Sequence, residues 1–130
     1  LMTHTTNPFL SKKSVEAALS QFKDALSHRT ANSLFTVNKV QERFYDSNAK
    51  ALNHDPKRLV RTQDLEPWYQ ENSNLYLFTK EGFGTTHARI GSKPMMLETP
   101  LFESTDIDTP DDWDLAEAMI EHFRKKGSLI

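Results

Sequence analysis

The sequence predicts a layered α/β fold in a single domain spanning residues 1–130. Two segments carry apolar residues at helical spacing, short β-prone runs lie between them, and helical and extended stretches alternate along the chain. A chain of 130 residues is the size of one domain with a moderate core. It offers fewer strands than a complete doubly wound sheet needs.

The elements follow in order. Leu1 to Leu10 is rich in β-branched and turn residues, and reads as the end of a strand entering a loop at Asn7-Pro8. Ser11 is placed to cap a helix over Ser11–Leu26, with Val15, Ala18, Leu19, Phe22, Ala25 and Leu26 on its apolar face. Ser33 to Val37 is a short strand. Glu42–Leu52 reads as a hairpin turning at Asp46-Ser47-Asn48. From Asn53 to Asn74 the chain is polar and interrupted by Pro56 and Pro67, so it reads as a long connection, a feature often tied to function.

Leu75 to Phe78 is a strand candidate, Lys80 to Thr86 a short helix or turn, and Pro94 to Leu97 another extended piece. Ser104 to Asp108 is expected to be extended. Thr109 then caps a helix over Pro110–Lys125, with Pro110 at its first position and Asp111 and Asp112 complementing its N-terminus. Trp113, Ala116, Met119, Ile120 and Phe123 form one face, and Arg124-Lys125-Lys126-Gly127 ends the helix.

Composition narrows the function. The chain is 37% hydrophobic and 26% charged, which is ordinary for a soluble globular protein. No apolar stretch approaches the ~18–20 residues that span a bilayer. A net charge of -2, with both signs interspersed, disfavours nucleic acid as a partner. With no cysteine there is no disulfide framework, thiol nucleophile or cysteine-based zinc site, and the N-terminus lacks a signal-type segment, so a cytoplasmic home is expected.

Asp106-Ile107-Asp108 is the sharpest local feature. In an extended segment residues two apart point the same way, so the two carboxylates would converge while Ile107 enters the core. Such a pair suits Mg²⁺, which is held by one or two carboxylates and completed by water and phosphate oxygens. Alternatively, both aspartates serve the helix that follows. Arg58, Arg61 and Gln63, followed by Tyr69, Asn72, Asn74 and Tyr76, offer groups that bind a carboxylate and read hydroxyls, or else form a solvated loop with surface ion pairs. The five histidines show no metal-ligand spacing. No Gly-x-Ser-x-Gly elbow or Walker-type loop occurs, and Gly82, Gly84, Gly91 and Gly127 make no phosphate cradle.

Four segments resemble the acylneuraminate cytidylyltransferase (CMP-sialic acid synthetase) family in the family's own order. They are Thr3-His4-Thr5-Thr6-Asn7-Pro8-Phe9-Leu10, Arg61-Thr62-Gln63-Asp64-Leu65-Glu66-Pro67, Glu71-Asn72-Ser73-Asn74-Leu75-Tyr76 and Ser104-Thr105-Asp106-Ile107-Asp108-Thr109. The resemblance covers nearly the whole chain, and its most specific part is Asp-Ile-Asp-Thr before a capped helix. It implies the C-terminal part of a nucleotidyltransferase-type, Rossmann-like three-layer fold with an inserted hairpin used for dimerisation. It further implies transfer of CMP from CTP to the anomeric hydroxyl of a sialic-acid-type keto-sugar acid, with Mg²⁺ and release of pyrophosphate.

In family terms Asp106 and Asp108 hold the metal and form the catalytic pair. Arg61 and Gln63 match a motif beside the sugar site, Tyr76 matches an aromatic that lines it, and His4, Thr6 and Asn72 lie in the other matched motifs. Arg89 is assigned to the sugar carboxylate from its charge alone. The expected partners are the sugar acid, CTP or a CMP-sugar, and a second copy in a homodimer. Phe44 and Tyr45 on the hairpin would meet that copy or pack on their own domain.

Two departures bear on activity. His4-Thr5-Thr6-Asn7-Pro8 stands where many members have a Gln-Pro-Thr-Ser-Pro-like motif, which leaves the identity of the sugar open. The family's glycine- and lysine-containing triphosphate loop has no counterpart in these residues, so little or no CTP turnover by this chain alone is expected. The alternative is a non-catalytic protein that binds a sugar acid or only dimerises. A magnesium-dependent phosphohydrolase with Asp106 as nucleophile is disfavoured, because only one helix follows that position.

Overall fold

The computed structural model describes residues 1–127. The chain forms a mixed α/β structure of two compact units: Leu1–Asn38 together with the chain from Glu71 onward, and Lys39–Gln70. No helix among the described residues is long and apolar enough to cross a membrane.

The first unit holds a four-stranded mixed sheet in the order β1-β3-β2-β4. β1 (Met2–Thr3) runs antiparallel to β3 (Trp68–Phe78), pairing Met2 with Tyr76 and Thr3 with Leu75. β2 (Ser33–Val40) runs parallel to β4 (Pro94–Glu98), from Ser33 opposite Pro94 to Val37 opposite Glu98. Thr36 stitches β2 to β3 through its side chain: its Oγ1 accepts from the Leu75 N–H at 3.0 Å and lies 3.3 Å from the Leu75 carbonyl. Ser33, Leu34, Thr36, Val37 and Asn38 are all buried, the pattern of a central strand covered on both faces.

α1 (Lys12–Ser27) forms where the sequence places it. The Ser11 side chain accepts from the Ser14 N–H, and the helix buries Ala18, Phe22 and Ala25. Ala18 and Phe22 pack with Leu34, Leu75 and Leu77, and Leu10, Val15, Met95 and Leu97 close around them. Leu19 and Leu26, expected on this face, are exposed, because the strip in contact with the sheet is narrower than the apolar pattern.

α2 (Lys80–Thr86) is a short helix capped by Thr79, whose hydroxyl accepts from the Gly82 N–H. α3 (Pro110–Lys125) starts with a complete capping box made by Thr109 and Asp112. Of its expected inner face only Ala116 is buried. Phe123 meets Phe9 and Phe102, with ring centroids 6.3 and 5.3 Å away, while Trp113 is 56% exposed. The helix therefore meets its unit through its middle and end, and its first turn faces solvent.

The second unit is built mostly from side-chain to backbone bonds. The expected hairpin is reduced to one antiparallel bridge, Tyr45 to Ala51. Asp46 Oδ1 accepts from the N–H groups of Asn48 and Lys50, and Asn53 Oδ1 accepts from the Phe44 N–H. The rings of Phe44 and Trp68 stack at 5.2 Å, both within this unit. Gln41 Nε2 donates to the carbonyls of Gln63 and Leu65, and Leu65 is the buried apolar residue here.

Two sequence expectations change. The connection read over Asn53–Asn74 ends at Pro67, and β3 begins at Trp68, where aromatic residues favour extended backbone despite the polar run behind them. Ser104–Asp108 is not one extended segment: Leu101–Ser104 is a 3-10 helix, and Thr105–Asp108 has no regular structure. The Ser104 hydroxyl donates to the Leu101 carbonyl and the Thr105 hydroxyl to the Phe102 carbonyl, so these side chains tighten the turn. Ile107 is half-buried and does not join the core cluster.

Candidate functional site

The stretch after β1 lies between β3 and the segment that precedes α3. Continuing the β1–β3 register by one residue sets His4 opposite Asn74. On the other side the Ile107 N–H donates to the Thr6 carbonyl at 3.0 Å, and Asn7 Nδ2 donates to the Thr105 carbonyl at 3.4 Å. Thr6 and Asn7 are thereby tied to the segment that precedes α3, one through its backbone and one through its side chain.

Polar atoms are stranded along this seam. Among the described residues, the buried side-chain nitrogens and oxygens without a hydrogen-bond partner are His4 Nε2, Asn7 Oδ1, both polar atoms of the Asn74 amide, and Asp106 Oδ1. Asn7 is 6% exposed and Asn74 fully buried. Native proteins keep few such atoms, because each costs about 1–3 kcal/mol when left unpaired. His4 and Asn7 lie on the stretch after β1, Asn74 on β3 and Asp106 on the segment before α3. The stranded atoms comprise carboxylate and amide acceptors, an amide donor, and an imidazole nitrogen that donates or accepts according to tautomer.

Beside them stands Tyr76, also fully buried. Its hydroxyl donates to Glu71 and lies 3.1 Å from Ser73 Oγ. The Arg89 guanidinium sits 4.2 Å above the Tyr76 ring, and its Nη2 is 3.5 Å from Glu71 Oε1. The His4 ring is 6.3 Å from the Tyr76 ring. Burial and the Glu71 carboxylate push the Tyr76 phenol above its ordinary value, while Ser73 and the Arg89 charge oppose the shift. Ser73 has φ 59°, a left-handed conformation that a non-glycine residue holds only when its surroundings over-determine it. Asn72 is tied in as well, its Nδ2 donating to Thr99 Oγ1 at 2.8 Å.

The start of α3 decides how its neighbouring aspartates are used. Asp112, not Asp106 or Asp108, serves the helix: its Oδ2 accepts from the Thr109 N–H at 2.8 Å, the Thr109 hydroxyl at 2.7 Å and the Asp108 N–H at 3.2 Å. Bonds from the Thr109 side chain and backbone hold the Asp112 carboxyl below its ordinary value. The carboxylates of Asp106 and Asp108 are thus not spent on the cap. Asp106 is half-buried with its Oδ1 unpartnered, and Asp108 is exposed. Among the described residues no three His, Cys, Asp or Glu side chains form a ready metal cage. An unpaired buried carboxylate oxygen on Asp106 nonetheless fits a hard cation that takes its remaining oxygens from water and ligand.

The structure brings together His4, Tyr76 and Arg89, and sets the Thr6 backbone against the segment that carries Asp106. Arg61 and Gln63 belong to the second unit. Arg61 is exposed and paired with Asp64 through Nε at 2.8 Å and Nη2 at 3.3 Å, and the Gln63 side chain is exposed. A 340 Å³ depression in that unit is lined by Arg43, His54, Asp55, Arg58, Asp64 and Glu66.

Sequence reasoning named Asn74 only among the polar groups of a long connection, and gave Glu71 and Asn7 no role of their own. Asn72, Asn74 and Tyr76 share the period of a strand, which was the available signal, but reading residues up to Asn74 as loop concealed it. Nothing in the spacing marks Glu71 as the partner of Tyr76. Compared with known proteins, the chain matches no protein-family model and no curated protein sequence.

Proposed function

We propose that the first unit carries the sugar-acid and cation subsites of a cytidylyltransferase of the CMP-sialic acid type. The complete protein would transfer CMP from CTP to a sialic-acid-type keto-sugar acid with Mg²⁺, on a Rossmann-like nucleotidyltransferase sheet in the cytoplasm. The observation that carries this reading is the set of buried, unpartnered polar atoms on His4, Asn7, Asn74 and Asp106, which coincides with three of the four segments that resemble that family.

The proposed roles follow from chemistry. His4 and the Asn74 amide hydrogen-bond sugar hydroxyls, with Thr6 and Asn72 on the adjoining stretches. Arg89 takes the sugar carboxylate, exchanging its contact with Glu71 for a second acid. Tyr76, fully buried, backs the site by carrying Arg89 over its ring. Arg61 and Gln63 enter this reading only through the resemblance of their segment. Asp106 and Asp108 would hold Mg²⁺, which when bound neutralises charge on phosphate oxygens. A homodimer suits the second unit, where Leu59 is 98% exposed and Tyr45, Leu52 and Tyr69 are also exposed.

One sequence feature favours a second reading, binding of the sugar acid without turnover. The four glycines form no phosphate cradle, so these residues lack a loop for the triphosphate. Calorimetric titration separates the two readings. The chain is titrated with CTP plus Mg²⁺, and separately with keto-sugar acids and their CMP conjugates, alongside Asp106→Asn/Asp108→Asn. Metal-dependent CTP binding that the double variant loses supports a nucleotide site, and sugar-acid binding without CTP supports the binding-only reading. Absence of all binding rejects both.

A further inference from the structure

Glu103 is the most deeply buried carboxylate among the described residues, 3% exposed, and its partners are not cations. Its Oε2 accepts from the Ser11 N–H at 3.3 Å and its Oε1 from the Ser11 hydroxyl at 2.8 Å. Ser11 is the N-cap of α1, and its hydroxyl oxygen also accepts from the Ser14 N–H at 3.2 Å. The carboxylate therefore sits at the positive end of a 16-residue helix, where its charge is favoured.

This contact is one of three alternating tethers. Ser11 holds Glu103, Asn7 holds the Thr105 carbonyl, and Thr6 holds the Ile107 N–H. Residues 103, 105 and 107 are each fixed to the stretch Thr6–Ser11, and the side chain of Asp106 between them is left with a buried, unpartnered oxygen. Of the three, only the Glu103 tether is charge-assisted and made by two bonds. Thr105–Asp108 has no ladder or helix of its own to set its path.

We infer that Glu103 is a positioning residue for Asp106: by locking the 3-10 turn Leu101–Ser104 onto the start of α1, it fixes where Asp106 Oδ1 points and so sets the affinity of that oxygen for a divalent cation. The inference rests on the reading that Asp106 binds a cation. A glutamine at position 103 keeps the size but exchanges one acceptor for an amide donor, leaving one of the two Ser11 donors without its acceptor.

The test uses Mn²⁺ alone as the probe, with the full chain, and reads free Mn²⁺ by electron paramagnetic resonance beside thermal stability. The wild-type chain is expected to bind Mn²⁺ and Asp106→Asn to abolish binding. Glu103→Gln is expected to weaken it by roughly tenfold, the scale seen when groups that orient metal ligands are removed. Val37→Ala, which removes buried apolar volume without touching the Glu103–Ser11 contact, controls for lost stability and should bind as wild type does. Ser11→Ala removes the hydroxyl half of the same contact and should weaken binding in the same direction; it decides the matter if Glu103→Gln does not fold. Wild-type affinity in both Glu103→Gln and Ser11→Ala, or equal weakening by Val37→Ala, overturns the positioning role while leaving Asp106 as the ligand. Failure of the wild-type chain to bind, or binding unaffected by Asp106→Asn, overturns the Asp106 reading and this inference with it.

Discussion

The two units handle polar groups in opposite ways. In the second, charges are dense but remain in solvent: Arg61 pairs with Asp64 at the surface, and Arg58, Lys57 and Asp55 are exposed. In the first, charges are sparser around the site, yet amide, imidazole and carboxylate atoms are withdrawn from water and left without partners. The difference separates polarity that needs nothing further from polarity that does. A solvated ion pair contributes ~0–1 kcal/mol and asks for no ligand. A buried unpaired acceptor keeps its desolvation cost until something binds it. By that criterion the first unit holds the stronger candidate site.

The sharpest break of this contrast comes from the core beneath it. Leu34 is fully buried in the cluster that supports β2 and β3, so Leu34→Ala should destabilise the first unit by about 2–5 kcal/mol in denaturant unfolding. A loss below ~1 kcal/mol would show that this cluster does not support the sheet. Asn74 tests the stranded atoms themselves. Asn74→Leu, of similar branching, removes two buried unpaired groups and should raise stability by about 1–3 kcal/mol while abolishing sugar-acid binding. Destabilisation with binding intact would mean that the amide is satisfied within the folded chain and has no ligand to wait for.

Sequence reading recovered the helices well because their signals are local. Ser11 and Thr109 are caps, Pro110 is tolerated at the first helical position, and the observed bounds Lys12–Ser27 and Pro110–Lys125 follow from them. The start of β3 was hidden because its first half is polar and exposed, so neither alternation nor an apolar run announces it. The site was legible only in part. His4, Tyr76 and Arg89 were selected, but their assembly depends on β1 pairing with β3 across more than half the chain. Burial of Asn7 and Asn74 is a tertiary property that residue type does not encode, and the same holds for the attachment of Glu103 to Ser11.

The Tyr76 phenol gives a graded test. Its ordinary pKa is 10.0, and the folded value is raised by burial and by Glu71. A raised folded pKa means that the native state favours the protonated phenol. The resulting stability is fully present below pH 10.0 and is lost as pH rises through the folded value. Tyrosinate absorbance should therefore lag behind that of an exposed tyrosine, and stability should fall over the same alkaline range. Tyr76→Phe should remove that part of the fall, and identical alkaline profiles for the two chains would contradict the burial of this hydroxyl.

The smallest expected effect lies in the second unit and sharpens the comparison most directly. Arg61→Ala breaks a solvent-exposed pair with Asp64, so stability should change by less than ~1 kcal/mol, and the Asp64→Ala change should be as small. Because folding is nearly untouched, sugar-acid affinity in Arg61→Ala reports contact alone. A drop of tenfold or more would be about 1.4 kcal/mol of binding, which an exposed pair with Asp64 does not account for. It would assign Arg61 to the ligand, as its segment suggests. Unchanged affinity would show that Arg61 makes no contact with the acid and that its exposed pair with Asp64 is all it forms.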